Sequence, residues 1–491
     1  MTQLQTEVAF VETMIERLIS RRTRLRGRMN ALSPISQLSP EILVKIFQMT
    51  CYSAEDSTQH ITPLFFGGIC KDWRENAWST PLLWNTVTIT VWRRTHATQI
   101  SLLDEWLLRA QSSPLSIKLT VDEHESNKTN LAFCCFRPVM ELLITRAEYW
   151  QTFDCILPHR CHGILQNHKF PLLTSISLRP PTIGWISTLI NSPSIPGPLS
   201  APKLAHVNLS GYSASSMGLP WGQLRSVKIQ ILTIEEFFAL LLRSQELKEC
   251  YVEAICSPRS PEFLPPQMLF HDLETLDVLL TSIDPISILN HLNLPKLRVL
   301  SLRGGGVFAN ILIDTISTFV LRSSCHLERL SVEQLSRTTD DDILTWLETT
   351  PSLTHLRIKF NLYSTQPHPS IGFSDKLVSR LRPSQQGLPY LLPRLTSLEY
   401  RGPVPCNTRL LVDVLSERWH HVSHSDSAKH GSVSLRPMKV EIDASPLPVI
   451  DIPDDVRDDI VMLVSEGMEL EIRTPLPFHE GYGNAEVFES W

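Results

Sequence analysis

Five potential metal ligands crowd one stretch of the sequence: Cys155, His159, Cys161, His162 and His168. Thiolate and imidazole suit a structural zinc ion, but such sites draw their ligands from paired short spacings. This run lacks the pairs, so partly buried cysteines in a loop or helix are expected instead. A second run, His420, His421, His424 and His430 in WHHVSHSDSAKH, brings histidine, serine and aspartate together. These are the residue types of a nucleophile triad, yet nothing orients them, and a polar insertion is expected. Gly304 to Gly306 lack the lysine of a phosphate-binding loop and the spacing of a dinucleotide fingerprint; a tight turn after the strand ending at Leu302 is expected. No Gly-x-x-x-x-Gly-Lys, Gly-x-Ser-x-Gly or His-Glu-x-x-His run occurs. The acidic stretch DIPDDVRDD at 451 to 459 precedes an apolar run and is read as helix capping. The expectation is a protein that is not an enzyme, holds no metal or cofactor, and works by binding.

At 491 residues the chain exceeds what one core usually supports, so several domains or a repeat array are expected. Its 45 basic and 51 acidic residues leave a net charge of -6, which gives no reason to expect nucleic acid or a membrane as partner. No segment reaches the roughly 18 consecutive apolar residues of a membrane span, and no basic start leads into an apolar run. A soluble cytoplasmic or nuclear protein is expected. Ten cysteines without regular spacing read as reduced thiols, and 35 prolines between apolar runs read as loop punctuation.

Leu4, Val8, Val11, Ile15, Leu18, Leu25, Met29 and Leu32 follow a 4,3 spacing broken at Arg22, the seam of a heptad helix over residues 1 to 32. Phe10, Met14 and Ile19 widen that face. Packing on the next domain and dimerisation both remain open; because Arg22 interrupts the seam, packing within a monomer is the expectation. From residue 33, Pro40 starts an amphipathic helix with Ser39 as N-cap and Ile42, Leu43, Ile46 and Phe47 as its apolar face. Ile69, Cys70, Trp73 and Ala77 share helical spacing before Pro81, and LLWNTVTITVW alternates as a strand. Residues 93 to 168 read as a linker or as first irregular repeats, with a helix at WLLRA and a strand at PLSIKLTVD.

Beyond residue 169 the chain repeats itself. Leu-x-x-Leu-x-Leu, with apolar substitutes, recurs nine times, starting at Leu173, Leu204, Leu224, Leu247, Leu273, Leu297, Leu327, Leu353 and Leu395. The first steps, 31, 20, 23, 26 and 24 residues, lie in or near the period of leucine-rich repeats. Helical stretches such as TIEEFFALLLRS and DDDILTWLETT fall between the strands. Such a unit cannot bury its apolar faces alone, so an α/β solenoid with parallel strands inside and helices outside is expected over 169 to 473. A helix near Asp454 to Glu466, ended by Gly467, caps it, and 474 to 491 form a tail.

LSPEILVKIF together with ICKDWRENAWSTPLLW resembles the F-box, specifically the F-box-like proteins of mushroom-forming fungi, and the heptad helix and degenerate repeats also look like that family. The resemblance is carried by Leu38, Pro40, Glu41, Ile42, Leu43, Ile46, Phe47, Cys70, Trp73, Arg74, Ala77, Pro81, Leu82 and Trp84. It implies an F-box domain over 33 to 92 that docks on a Skp-family adaptor joined to a cullin, while the repeats hold a target protein for ubiquitination. The alternative is a repeat scaffold that no longer engages a ligase. A domain of this size leaves part of its apolar residues for a partner, unless the heptad helix covers them. Leu38, Pro40, Ile42, Leu43, Ile46, Phe47, Ile69, Cys70 and Trp73 are the candidate adaptor contacts. On the repeats, strand alternation turns Arg329, His355 and Arg357 outward as a small basic patch that could take an acidic or phosphorylated target, or could simply pair with Glu328 and Glu333.

Overall fold

The computed structural model describes residues 2–52, 62–92, 94–121, 129–157, 159–181, 199–256, 266–281, 286–305, 313–335, 339–360, 372–383, 390–430, 438–443, 452–475 and 488–489. The chain divides into two compact units, Met1–Thr182 with Leu199–Lys203, and Ile183–Pro198 with Leu204–Trp491. Both are α/β with parallel strands.

The first unit opens with α1 (Thr2–Ala31), followed by α2 (Pro40–Tyr52), α3 (Pro63–Ile69) and α4 (Lys71–Trp78). Strands β1 (Thr86–Val91), β2 (Leu115–Val121), β3 (Trp150–Ile156) and β4 (Ser175–Arg179) then alternate with α5 (His96–Ala110) and α6 (Thr129–Ile144). The strands pair in chain order, with Val87, Ile117, Phe153 and Ile176 in one register row. Residues 93 to 168, the least legible part of the sequence, therefore contain helices and parallel strands of the same alternating kind. Trp150 and Phe153, rings stacked at 4.5 Å, take the buried places that leucines hold in later strands.

The expected helix through Ile69, Cys70, Trp73 and Ala77 is broken in two. Cys70 is extended (φ -153°, ψ 173°), and its sulfur accepts the Trp73 N–H at 3.5 Å, capping α4. Helical periodicity survived in the sequence because α3 and α4 meet at a single-residue joint. The expected packing of the N-terminal helix is also overturned: every described side chain from residue 3 to 30 of α1 is exposed.

The second unit strings together β5 (His206–Leu209), β6 (Ser226–Thr233), α7 (Ile234–Arg243), β7 (Glu249–Cys256), β8 (Leu269–Phe270), β9 (Thr275–Thr281), α8 (Ile286–Leu289), β10 (Leu292–Asn293) and β11 (Val299–Gly305). There follow α9 (Ile313–Ser323), β12 (Arg329–Leu335), α10 (Asp340–Glu348), β13 (His355–Phe360), α11 (Asp375–Arg380) and β14 (Ser397–Arg401). It ends with α12 (Thr408–His430), β15 (Lys439–Asp443), α13 (Asp454–Ser465), β16 (Glu469–Pro475) and β17 (Phe488–Glu489), the last antiparallel to β16. Strands β8 and β10 form a separate parallel pair. Along the main row the central positions Val207, Val227, Cys250, Leu276, Leu300, Leu330, Leu356, Leu398, Val440 and Leu470 are in register, all buried. A leucine on one strand thus packs between apolar neighbours on the strands either side, so a one-residue slip of any strand would turn that strand's whole apolar set toward water.

Local chemistry starts the helices. Thr233 and Glu236 form a capping box on α7, and Thr339 and Asp342 do the same on α10. Gly467 (φ 103°) ends α13 in the left-handed conformation that favours glycine. Two local expectations fail. Gly304 and Gly305 continue β11, paired with Leu280 and Thr281, and Gly306 lies outside the described residues. The histidine run is not an insertion between elements but the end of α12.

Candidate functional site

In the module of α2, α3 and α4, the rings of Phe47 and Phe66 stack at 4.1 Å, and Trp73 lies 4.9 Å from Phe47 and 6.1 Å from Phe66. Leu43, Ala77, Leu83 and Trp84 are buried with them. The Trp84 indole donates to the Ala77 carbonyl at 2.8 Å, and the Arg74 guanidinium donates to the Gly67 carbonyl at 2.8 Å. Trp84 is tied to α5 in turn: the Trp106 indole donates to its carbonyl at 2.7 Å, and the Arg109 guanidinium lies 4.8 Å over its ring. Indole and guanidinium groups thus satisfy carbonyls at the joints of the module.

This core divides the sequence-predicted contact residues in two. Leu43 and Phe47, expected at a partner surface, are 5% and 0% exposed and hold the module together. Alternation on a short helix could not tell which apolar flank faces inward, because both flanks of α2 are apolar. Ile42 (51%), Ile46 (37%) and Ile69 (46%) remain in water, as do Leu64, Phe65 and Met49. Ile42, Ile46 and Met49 share one face of α2 by helical spacing. Pro40 is exposed, while Leu38, Cys70 and Trp73 are partly covered. Since α1 is itself exposed throughout, it does not cover these residues. Beside them lies a mostly apolar groove of about 920 Å³ between α3, β1 and α5, lined by Leu64, Trp78, Ile89, Trp92, Leu102 and Trp106 among others.

On the strands of the second unit, outward side chains form ladders of alternating charge. Arg329 and His355 are register partners on β12 and β13, as are Ser331 and Arg357. The expected basic patch is, however, largely neutralised. Arg357 meets Glu399 at 3.0 Å and Glu333 at 3.6 Å, and Lys359 meets the same two carboxylates at 3.3 and 3.6 Å. Sequence alternation turned Glu399 outward as well, at the repeat position that Arg357 holds, but the 42-residue step between those two repeats hid that they are neighbours. Among the described residues Arg329 has no ion-pair partner, and partial burial, with the Arg329 charge second, lowers the pKa of His355. His355 Nδ1 lies 2.9 Å from the Thr354 hydroxyl. Reversing Arg357 to Glu would therefore set three carboxylates around Lys359, and we expect it to lower the thermal midpoint of the full chain, whereas Arg329→Glu leaves it unchanged. Equal midpoints for the two variants would show that the ladder does not hold these strands.

A second stretch of this face, on β6, β7, β9 and β11, bounds a groove of about 830 Å³ lined by Lys228, Tyr251, Glu253, Asp277 and Arg303 among others. Arg303 meets Asp277 at 3.0 Å, and Lys228 meets Glu253 at 3.4 Å. Arg303 and Glu253 lie one strand step beyond the repeat template, which is why the template did not single them out.

The ligand clusters resolve differently. Cys155 on β3 and Cys161 are fully buried; burial pushes the Cys155 thiol well up and the Cys161 thiol up to about 12. His168 is exposed, and the side chains of His159 and His162 lie outside the described residues. Among the described residues no group of three or more histidine, cysteine and acidic side chains could hold a metal ion. His420 Nδ1 donates to Ser416 O (2.8 Å), and His420 faces Glu466 at 3.4 Å; the side chains of His421, His424 and His430 lie outside the described residues. From the acidic run, Asp454 and Asp455 occupy the first turn of α13, while Asp455 and Asp459 reach Arg409 at 3.4 and 2.8 Å. Among the described residues no helix is long and apolar enough to cross a membrane. No protein-family model matches the chain, and no curated protein matches it.

Proposed function

We propose that the chain is a non-enzymatic substrate receptor of a Skp, cullin and F-box ubiquitin ligase, at work in the cytoplasm or nucleus. The helices α2 to α4 act as an F-box that docks on the Skp-family adaptor, and through it a cullin, while the strands of the second unit are leucine-rich repeats that hold a target protein. One observation carries this reading: a small helical module with a complete aromatic core of its own still leaves Ile42, Ile46, Phe65 and Ile69 in water. Each such side chain is already about half covered, so full burial by a partner contributes on the order of 1 kcal/mol apiece, and a helix face carrying several fits a groove on another protein. For the target, the groove around Tyr251 offers a ring and paired charges, and Arg329 offers a cation without an ion-pair partner among the described residues, beside a His355 held toward its neutral form.

The test is co-purification of the full chain with adaptor and cullin. Ile42→Asp with Ile46→Asp should reduce adaptor capture by about a hundredfold or more, because each carboxylate would have to be desolvated in an apolar contact. Circular dichroism should stay unchanged, since both positions are already in water. Undiminished capture by this variant removes the docking face. A wild-type chain that captures neither adaptor nor cullin favours the repeat scaffold without ligase engagement.

A further inference from the structure

The helix α1 is 30 residues long, about 45 Å at 1.5 Å per residue, and its entire apolar seam stands in water: Leu4 is 66% exposed, Ile15 50% and Leu25 51%. A helix in a protein draws most of its stability from a face it packs, so a seam of this length calls for a partner. Its spacing assigns Val8, Ile15, Arg22 and Met29 to the a positions of a heptad and Leu4, Val11, Leu18 and Leu25 to the d positions. The charges then choose the occupant and its direction. Glu7, Glu12 and Glu16 fall in the first half, and Arg17, Arg21, Arg22, Arg24, Arg26 and Arg28 in the second. A parallel pair would set Glu7 against Glu12, Arg21 against Arg26, and Arg22 against its own copy in the seam. Reversing one helix removes all three clashes. Leu4 then meets Met29 of the second copy, Val8 meets Leu25, Ile15 meets Leu18, and Arg22 meets Val11, one residue from Glu12. On the flanks, Glu7 comes beside Arg28 and Gln5 beside Arg26.

We propose that α1 joins two copies of this chain as an antiparallel two-stranded coiled coil. The proposal departs from the expected monomer, whose basis was a helix packed within its own chain. The proposal stands whether or not the ligase reading does, because it uses no residue outside α1.

Light scattering of the full-length chain after size exclusion should give twice the 55.8 kDa chain mass, and Ile15→Glu with Leu18→Glu should return the single mass without loss of the remaining fold. Glu7→Arg should weaken the dimer about tenfold, and adding Arg28→Glu should restore it. Direction is read from thiol cross-linking above the wild-type background. Leu4→Cys mixed with Met29→Cys should give a covalent dimer linking residues 4 and 29, and neither variant alone should do so. Self-linking of each single variant would overturn the antiparallel arrangement. A single-chain mass for the wild type, or a dimer indifferent to Ile15→Glu with Leu18→Glu, would overturn the interface.

Discussion

Leu43→Asp should unfold the module of α2 to α4, while the same substitution one residue earlier, at Ile42, should leave it folded. Leu43 is 5% exposed beside a core in which Phe47 stacks on Phe66 at 4.1 Å; Ile42 is 51% exposed. A carboxylate placed at residue 43 must either stay ionised without a partner or take up a proton, and either course costs about 4 kcal/mol or more. So small a module cannot absorb that loss. Phe47→Ala, which introduces no charge, should cost about 3–5 kcal/mol through the lost burial and the cavity left between Phe66 and Trp73. Limited proteolysis separates these outcomes: new cleavage between residues 40 and 84 is expected for Leu43→Asp and Phe47→Ala, and none for Ile42→Asp. Resistance of Leu43→Asp would mean that this aromatic cluster is not the core of the module. The contrast also controls the binding test, because loss of adaptor capture by Leu43→Asp reports unfolding, whereas loss by Ile42→Asp with Ile46→Asp reports the surface.

The second large effect is expected at a buried residue that takes part in no proposed contact. Arg418 on α12 is 2% exposed, and its guanidinium donates to the carbonyls of Leu381 (2.8 Å), Leu391 (3.2 Å) and Leu392 (2.6 Å) while lying 4.9 Å over the Tyr390 ring. Burial lowers its pKa, yet the three carbonyls keep a charged donor in place. Leu392 sits at φ 50°, a left-handed conformation that disfavours a leucine, so this turn needs outside support. Arg418→Ala would leave three acceptors without their donor and open a cavity, a loss of about 3–5 kcal/mol. Arg409→Ala, on the same helix but in an exposed cluster with Asp413, Asp455 and Asp459, should cost no more than about 1 kcal/mol. Thermal unfolding of both variants against the wild type checks the ranking. An Arg418→Ala midpoint no lower than that of Arg409→Ala would show that the turn holds itself.

Much of this protein was written locally. The leucine template named nine strands because a strand buried on one face must repeat its apolar residues every second position, and the sheet register turns each repeat into a continuous buried row. Gly467 marked a helix end through a cap that needs only neighbouring residues, and the capping boxes at Thr233 and Thr339 are equally local. Two earlier strands carry the same template in altered dress, Trp84, Val87 and Ile89, then Trp150, Phe153 and Cys155; alternation marked the first as a strand, but the aromatic first positions hid that both belong to the repeats. Only the tertiary structure decided which apolar side chains of α2 are core and which stay in water, because both flanks of that helix are apolar and packing against Phe66 and Trp73 chooses between them. It likewise decided that Arg357 is neutralised, since Glu399 is distant in sequence and adjacent only through the pairing of β13 with β14. For α1 the division runs the other way. The heptad register and the split of charge were legible from the first 32 residues, but whether the chain's own core would cover that seam depends on contacts that no local pattern encodes.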